Sequence, residues 1–153
     1  TPTPRDQAGG RSSFPNARAG SAGRLLIVDD VASVREMVAV KMRTIGLSVT
    51  TCETGDAAVA AALEAWRAGM TYDVILMDMA MPGLDGRVAT RILRGAGYTG
   101  AIIAFTANAM MGTRERCIAA GCDEFVSKPA DLRALAALVE RFLPEAATME
   151  SAA

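Results

Sequence analysis

The chain has 153 residues, 51% of them hydrophobic and 22% charged, which suits one globular domain with a single buried core and flanking tails. Sixteen basic against seventeen acidic residues leave a net charge of −1, so the broad positive field that nucleic acid or an anionic membrane would require is not expected. There is no histidine, which excludes imidazole acid–base catalysis, histidine metal sites and a phosphohistidine on this chain.

Residues 1–23 are mostly Pro, Gly, Ser, Ala, Arg and Thr, with Phe14 as the single large apolar side chain. That is too little apolar surface to offset the entropy of ordering, and a disordered linker or tail is expected. A start at Thr1 fits a piece of a longer polypeptide as well as a chain that has lost its initiator methionine. No secretory leader is visible, and no apolar run approaches the roughly 20 residues of a membrane span, so a soluble cytoplasmic domain without direct membrane contact is expected.

From Leu25 the apolar run Leu25-Leu26-Ile27-Val28 reads as a strand that ends in Asp29-Asp30. A helical pattern follows, Val31, Val34, Val38, Met42 and Ile45, closed by Gly46. Strand and helix then alternate: Leu47–Cys52 and Asp56–Arg67, Tyr72–Met77 and Gly86–Leu93, Ala101–Phe105 and Thr113–Ala120, Glu124–Ser127 and Leu132–Phe142. Pro144 should stop the last helix, leaving 144–153 as a flexible tail and 24–143 as the domain. Met37 with Met42, and the nine methionines generally, read as core filler, and Trp66 as a packing residue with its N–H near water. Cys52, Cys117 and Cys122 show neither metal-ligand nor redox spacing and are expected as buried thiols. No glycine-rich loop ends in Lys-Ser or Lys-Thr, so a nucleotide P-loop is absent.

Five strands alternating with five helices predict an α/β fold with one parallel sheet, because parallel neighbours need helical crossovers that cover both faces. The expected strand order is 2-1-3-4-5, doubly wound and flavodoxin-like, with its crevice at the carboxyl ends of strands 1 and 3. The residues just past those ends are polar: Asp29-Asp30, Asp78, Thr106, and Lys128 before Pro129. Three carboxylates brought together repel by about 4 kcal/mol per close pair at an effective dielectric near 20 and call for a counter-ion. An all-oxygen donor set selects Mg²⁺, or Mn²⁺, with Asp29 and Asp30 as holders. A metal, an ammonium and a hydroxyl suit the charge on the equatorial oxygens of a transferring phosphoryl group, and Asp78 at the central strand is the best-placed nucleophile.

Singly, each residue has an ordinary reading. Asp29-Asp30 would suit a helix N-cap, with Asp30 capping the first helix; Asp78 a solvated loop; Thr106 a turn cap; Lys128 any surface lysine. Their joint placement after consecutive strands carries the functional reading.

The quoted strand-end segments resemble those of bacterial response-regulator receiver domains. The carrying pieces are Leu25 to Asp30, Ile75 to Gly86 (Ile-Leu-Met-Asp-Met-Ala-Met-Pro-Gly-Leu-Asp-Gly), Phe105 to Ala109 and Phe125 to Pro129. The stretch from Ile102 to Gly121 is most similar to receivers of hybrid sensor histidine kinases. The resemblance implies that Asp78 accepts a phosphoryl group from a histidine kinase or histidine phosphotransfer protein. It further implies that Asp30 and Asp78 ligate Mg²⁺ directly, Asp29 through water, and Ala80 through its backbone carbonyl. Lys128 would contact the phosphoryl oxygens. Thr106 would turn toward them, and Phe125 would rotate into the space left, altering the surface of helix 4, strand 5 and helix 5. Such a module catalyses its own phosphorylation and hydrolysis only, while a parent chain with a kinase domain would be a histidine protein kinase. Val31 stands where Asn is frequent, Ala80 offers no side chain to an attacking water, and Phe125 replaces Tyr. The rival readings are an aspartate-nucleophile phosphatase of the haloacid-dehalogenase kind and a receiver-like scaffold that works without phosphorylation.

Overall fold

The computed structural model describes residues 23–107, 110–128 and 131–144. Strands and helices alternate along it: β1 (Gly23–Val28), α1 (Ala32–Thr44), β2 (Leu47–Cys52), α2 (Gly55–Arg67), β3 (Val74–Met77), α3 (Gly86–Gly95), β4 (Ala101–Thr106), α4 (Thr113–Ala120), β5 (Glu124–Ser127) and α5 (Leu132–Glu140). All strands are parallel, in the order β2-β1-β3-β4-β5, which is the flavodoxin-like doubly wound (βα)5 fold. The linker expected before residue 23 and the tail expected after 144 lie outside the described residues. Gly23, counted with the linker in the sequence reading, is the first residue of β1 and pairs with Leu47.

The strands read as unbroken apolar runs because helices cover both sides of the sheet. Alternate residues feed two cores. Leu26, Val28, Ile75, Met77, Ile102 and Ala104 pack with Ala58 of α2, Leu93 of α3 and Cys117 of α4. Leu25, Ile27, Val74, Leu76, Ile103 and Phe105 pack with Val38 and Met42 of α1 and Leu135 and Val139 of α5. Each large apolar side chain so buried contributes about 1.5–3 kcal/mol relative to exposure.

Three helices start on side-chain caps: Thr54 accepts from the Ala57 amide at 3.1 Å, Asp85 from Arg87 at 2.9 Å, and Asp131 from Arg133 at 2.9 Å. α1 differs. Val31 holds its N-cap position with no side-chain cap, so the expected capping by Asp30 is corrected. Asp29 Oδ1 takes the Val31 amide at 2.9 Å instead, and this turns the chain before the helix begins. Val31 is therefore an exposed residue at the mouth of the turn rather than the first apolar residue of the helix face. Met37 is also exposed, since the buried stripe of α1 is Val38, Ala39 and Met42. Met70, Met110 and Met111 are exposed too, so methionine is core filler only at positions such as Met42, Met77, Met79 and Met81. Trp66 packs edge-on against Tyr98, with ring centroids 6.1 Å apart. Cys117 and Cys122 are buried as expected, whereas Cys52 is half-buried.

Candidate functional site

The parallel register sets the site. β1 and β3 end level at Val28 and Met77, opposite Ala104 of β4, and β4 and β5 run two residues further to the pair Thr106 and Ser127. The residues that follow must meet at one edge of the sheet. The ladder extends one step past the strands: the Asp78 amide donates to the Val28 carbonyl at 3.0 Å, the Asp29 amide to Cys52 at 3.1 Å, and the Lys128 amide to Thr106 at 2.9 Å. These bonds hold the three backbones rigid where the charged side chains branch off.

Asp29, Asp30 and Asp78 each offer a carboxylate oxygen, and these oxygens all lie within 4.8 Å of one another. Lys128 is placed with them. Its Nζ donates to Asp29 Oδ2 at 2.5 Å and to Asp78 Oδ2 at 3.3 Å, and it lies 5.2 Å from the centroid of the Phe105 ring. Alternation along the strands explains the grouping. Asp29, Asp78 and Lys128 continue the parity of Ile27, Leu76 and Val126, which all belong to the α1/α5 core. Thr106 and Phe125 continue the opposite parity, shared with Ala104. Thr106 is fully buried at the end of β4, and Phe125 is half-buried opposite Ala104, two residues back along the register on the same side of the sheet.

The carboxylates are not equivalent. Asp29 is buried and both its oxygens are engaged, Oδ1 by the Val31 amide and Oδ2 by Lys128. Asp78 is 5% exposed; its Oδ1 accepts from the Ala80 amide at 3.0 Å. Burial pushes the Asp78 carboxyl above its ordinary value, while the Ala80 amide and the Lys128 ammonium oppose the rise and Asp29 adds to it. Asp30 is exposed at the open side and makes no hydrogen bond or ion pair among the described residues. Three carboxylates against one ammonium leave about two negative charges in a partly buried space, and a hard divalent cation with oxygen preference is the counter-ion that fits this donor set.

Asp29, Asp30, Asp78, Ala80, Thr106 and Lys128 all lie at this edge, with Phe125 on β5 two residues before its end, and Pro129 lies outside the described residues. One was missed. Arg35 Nη1 donates to the Asp29 carbonyl at 2.8 Å and so clamps the turn that carries the acidic pair. In the sequence it is an ordinary charge on α1, and only its place in the first turn of the helix that follows the acidic pair could have drawn notice.

Comparisons with known proteins show the family. The family described as response regulator receiver domain matches residues 25–140. The chain is 35% identical over 121 residues to two-component response regulator ORR41 of Oryza sativa subsp. japonica, covering 78% of this chain and 93% of that one. Among solved structures, the receiver domain of sensor histidine kinase PA1611 from Pseudomonas aeruginosa PAO1 is 37% identical, with a TM-score of 0.69 over 78% of this chain and 96% of that one. That structure has a magnesium ion coordinated in its active-site cleft. The receiver domain of histidine kinase CKI1 from Arabidopsis thaliana, complexed with Mg²⁺ and BeF3⁻, is 28% identical, with a TM-score of 0.67 over 80% of this chain and 91% of that one. The chain spans only 2 to 16% of the length of the hybrid and sensor kinases that it matches.

Proposed function

The chain belongs to the response regulator receiver domain family of two-component signalling, and from that premise we propose that Asp78 is its phosphoacceptor, served by Asp29, Asp30, Thr106 and Lys128. The observation that carries the reading is the convergence of three carboxylates within 4.8 Å, bridged by one ammonium, at the carboxyl edge of the sheet.

An Asp78 carboxylate oxygen attacks the phosphorus of a phosphohistidine on a kinase or phosphotransfer protein. The new P–O bond forms as the P–N bond breaks, and the imidazole leaves as the electron-pair acceptor, to be protonated from solvent. A bound Mg²⁺ offsets charge on the phosphoryl oxygens and on the acidic cluster. Asp30, exposed and without a partner among the described residues, and an Asp78 carboxylate oxygen would hold the ion directly, together with the Ala80 carbonyl. Asp29, whose oxygens already serve Val31 and Lys128, would act through water. Lys128 moves from the Asp78 carboxylate, which it reaches at 3.3 Å, to the incoming phosphoryl oxygens. Thr106 donates its hydroxyl to the same group. Because Thr106 and Phe125 share one side of the sheet, movement of the first opens room for the second, and the surface of α4, β5 and α5 reports the change.

The hybrid-kinase relatives support a donor among histidine phosphotransfer domains or kinases. A parent chain that itself carries sensor and kinase domains is consistent with them, and a cytoplasmic setting follows from such a donor. Among the described residues no helix is long and apolar enough to cross a membrane. An aspartate-nucleophile phosphatase would need an acid two residues after the nucleophile, and Ala80 supplies only an amide there. A scaffold indifferent to phosphorylation would have no use for the full set of Asp30, Asp78, Thr106 and Lys128.

Incubation with acetyl phosphate and Mg²⁺ tests the assignment by intact-mass spectrometry. One phosphoryl mass is expected on the wild type, and none on Asp78→Asn or in the presence of EDTA. Equal labelling of Asp78→Asn would remove Asp78 as the acceptor, and sustained turnover of an aryl phosphate would favour the phosphatase.

A further inference from the structure

On the sheet face covered by α2, α3 and α4, the β3–α3 loop and α4 enclose an open cavity of about 370 Å³, within the usual range of ligand pockets. Its floor is apolar: Met79, Met81 and Cys117 belong to the buried core of that face. Its walls are not. Arg87, from the first turn of α3, and Arg116, from α4, both line it, and neither forms an ion pair among the described residues. The contact drawn from the Arg116 guanidinium is a long one inside its own helix, to Thr113 Oγ1 at 3.4 Å. The carboxylate in the same cavity, Asp85, already has Oδ1 committed to the Arg87 and Val88 amides as the cap of α3. Two guanidinium groups therefore share the cavity with one carboxylate, whose Oδ1 is held by the helix cap, and the lining carries a net positive charge on a chain of net charge −1. Burial pushes the Cys117 thiol up, with Arg87 and Arg116 opposing the rise and Asp85 adding to it.

A small anion would satisfy the arginines and gain nothing from the methionines. A purely apolar ligand would leave two desolvated guanidinium groups without partners. The exposed Met110 and Met111 add apolar surface in the turn entering α4, where the Met110 carbonyl accepts the Thr113 amide at 3.0 Å. We propose that this groove docks an acidic peptide segment of a partner protein, with an apolar side chain on the methionine floor and a flanking carboxylate held between Arg87 and Arg116. Planar guanidinium groups pair with carboxylates in two-pronged fashion, which makes two arginines across one groove a selective reader of such a segment. Ala80 also lines the cavity, so an occupant touches the loop that carries Asp78. The docking does not depend on the phosphoacceptor assignment, because it is tested on the unphosphorylated chain.

The probe is a fluorescein-labelled octapeptide of alternating glutamate and leucine, titrated with the full chain at low ionic strength, where a surface charge pair is least screened. Anisotropy should rise saturably, with amide shifts in nitrogen-15 spectra centred on Met79, Met81, Thr113 and Cys117. The double variant Arg87→Gln with Arg116→Gln should bind at least about tenfold more weakly, while its thermal melting and Mg²⁺ titration match the wild type and show that fold and acidic cluster are intact. The same peptide with glutamine in place of glutamate should not bind. The proposal is overturned by absence of saturable binding, by shifts centred on another surface, by equal affinity of the double variant, or by benzoate competing as strongly as the peptide, which would make the groove a small-acid site.

Discussion

Lys128 is held by two carboxylates that repel each other, and its side chain is only 13% exposed. Removing the ammonium leaves buried Asp29 facing Asp78 without compensation, so Lys128→Met is expected to cost about 3 kcal/mol in metal-free buffer. Urea denaturation with and without Mg²⁺ checks this, since a divalent ion at the same carboxylates should restore part of the loss. Asp78→Asn should act oppositely. Burial raises the Asp78 carboxyl above 3.8, so the folded chain binds this proton more tightly than the unfolded chain does. Ionised Asp78 therefore lowers stability above its folded value, and the penalty fades as pH falls through that value toward 3.8. In EDTA, Asp78→Asn should melt a few degrees higher than the wild type at pH 7, on the order of 1 kcal/mol. The difference should vanish in acid, and melting curves across pH read it directly. At this scale Asp29, Asp30, Asp78, Thr106 and Lys128 were legible because strand ends are easy to find and the residues after them must share one edge. Arg35 was not, because its bond to the Asp29 carbonyl exists only once the Asp29 side chain has turned the chain at Val31.

The loop between β3 and α3 is stitched to its own ends. The Gly86 amide donates to the Met79 carbonyl at 3.2 Å, and Thr90 Oγ1 to the Gly86 carbonyl at 2.8 Å. A Cβ on Gly86 would collide with the Asp78 carbonyl and approach the Met79 Cα to 2.9 Å. Backbone cannot yield there as a flexible side chain would. Gly86→Ala should thus cost about 2–3 kcal/mol and slow acetyl-phosphate labelling, as it moves the nucleophile's backbone; thermal melting and a labelling time course check both. This constraint on Gly86 is not visible in the sequence, because the close approach comes from residues seven and eight positions away. Element types and most boundaries were readable from apolar runs and helical periodicity. The misreadings sit on α1, where Val31 and Met37 were assigned by residue type although the buried stripe is fixed by Val38, Ala39 and Met42. The start of β3 slipped from Tyr72 to Val74, because the Asp73 carboxylate takes the Arg24 amide at 2.8 Å before the regular ladder begins.

For the whole molecule, parallel topology turns sequence order into spatial convergence. Every strand contributes its carboxyl end to one edge, so charged residues separated by up to 99 positions, as Lys128 and Asp29 are, become hydrogen-bond partners. The same topology places helices on the opposite faces, and the loop that follows Asp78 also lines the groove between Arg87 and Arg116. The central claim is that this convergence makes the Asp78 carboxylate, and no other, an acyl phosphate. The most direct measurement is borohydride reduction of the chain after labelling with acetyl phosphate and Mg²⁺, followed by tandem mass spectrometry of its peptides. Reductive cleavage of an aspartyl phosphate leaves homoserine, which is expected at position 78 alone. Homoserine at position 29 or 30, or an unreduced phosphate on Ser or Thr, would contradict the account.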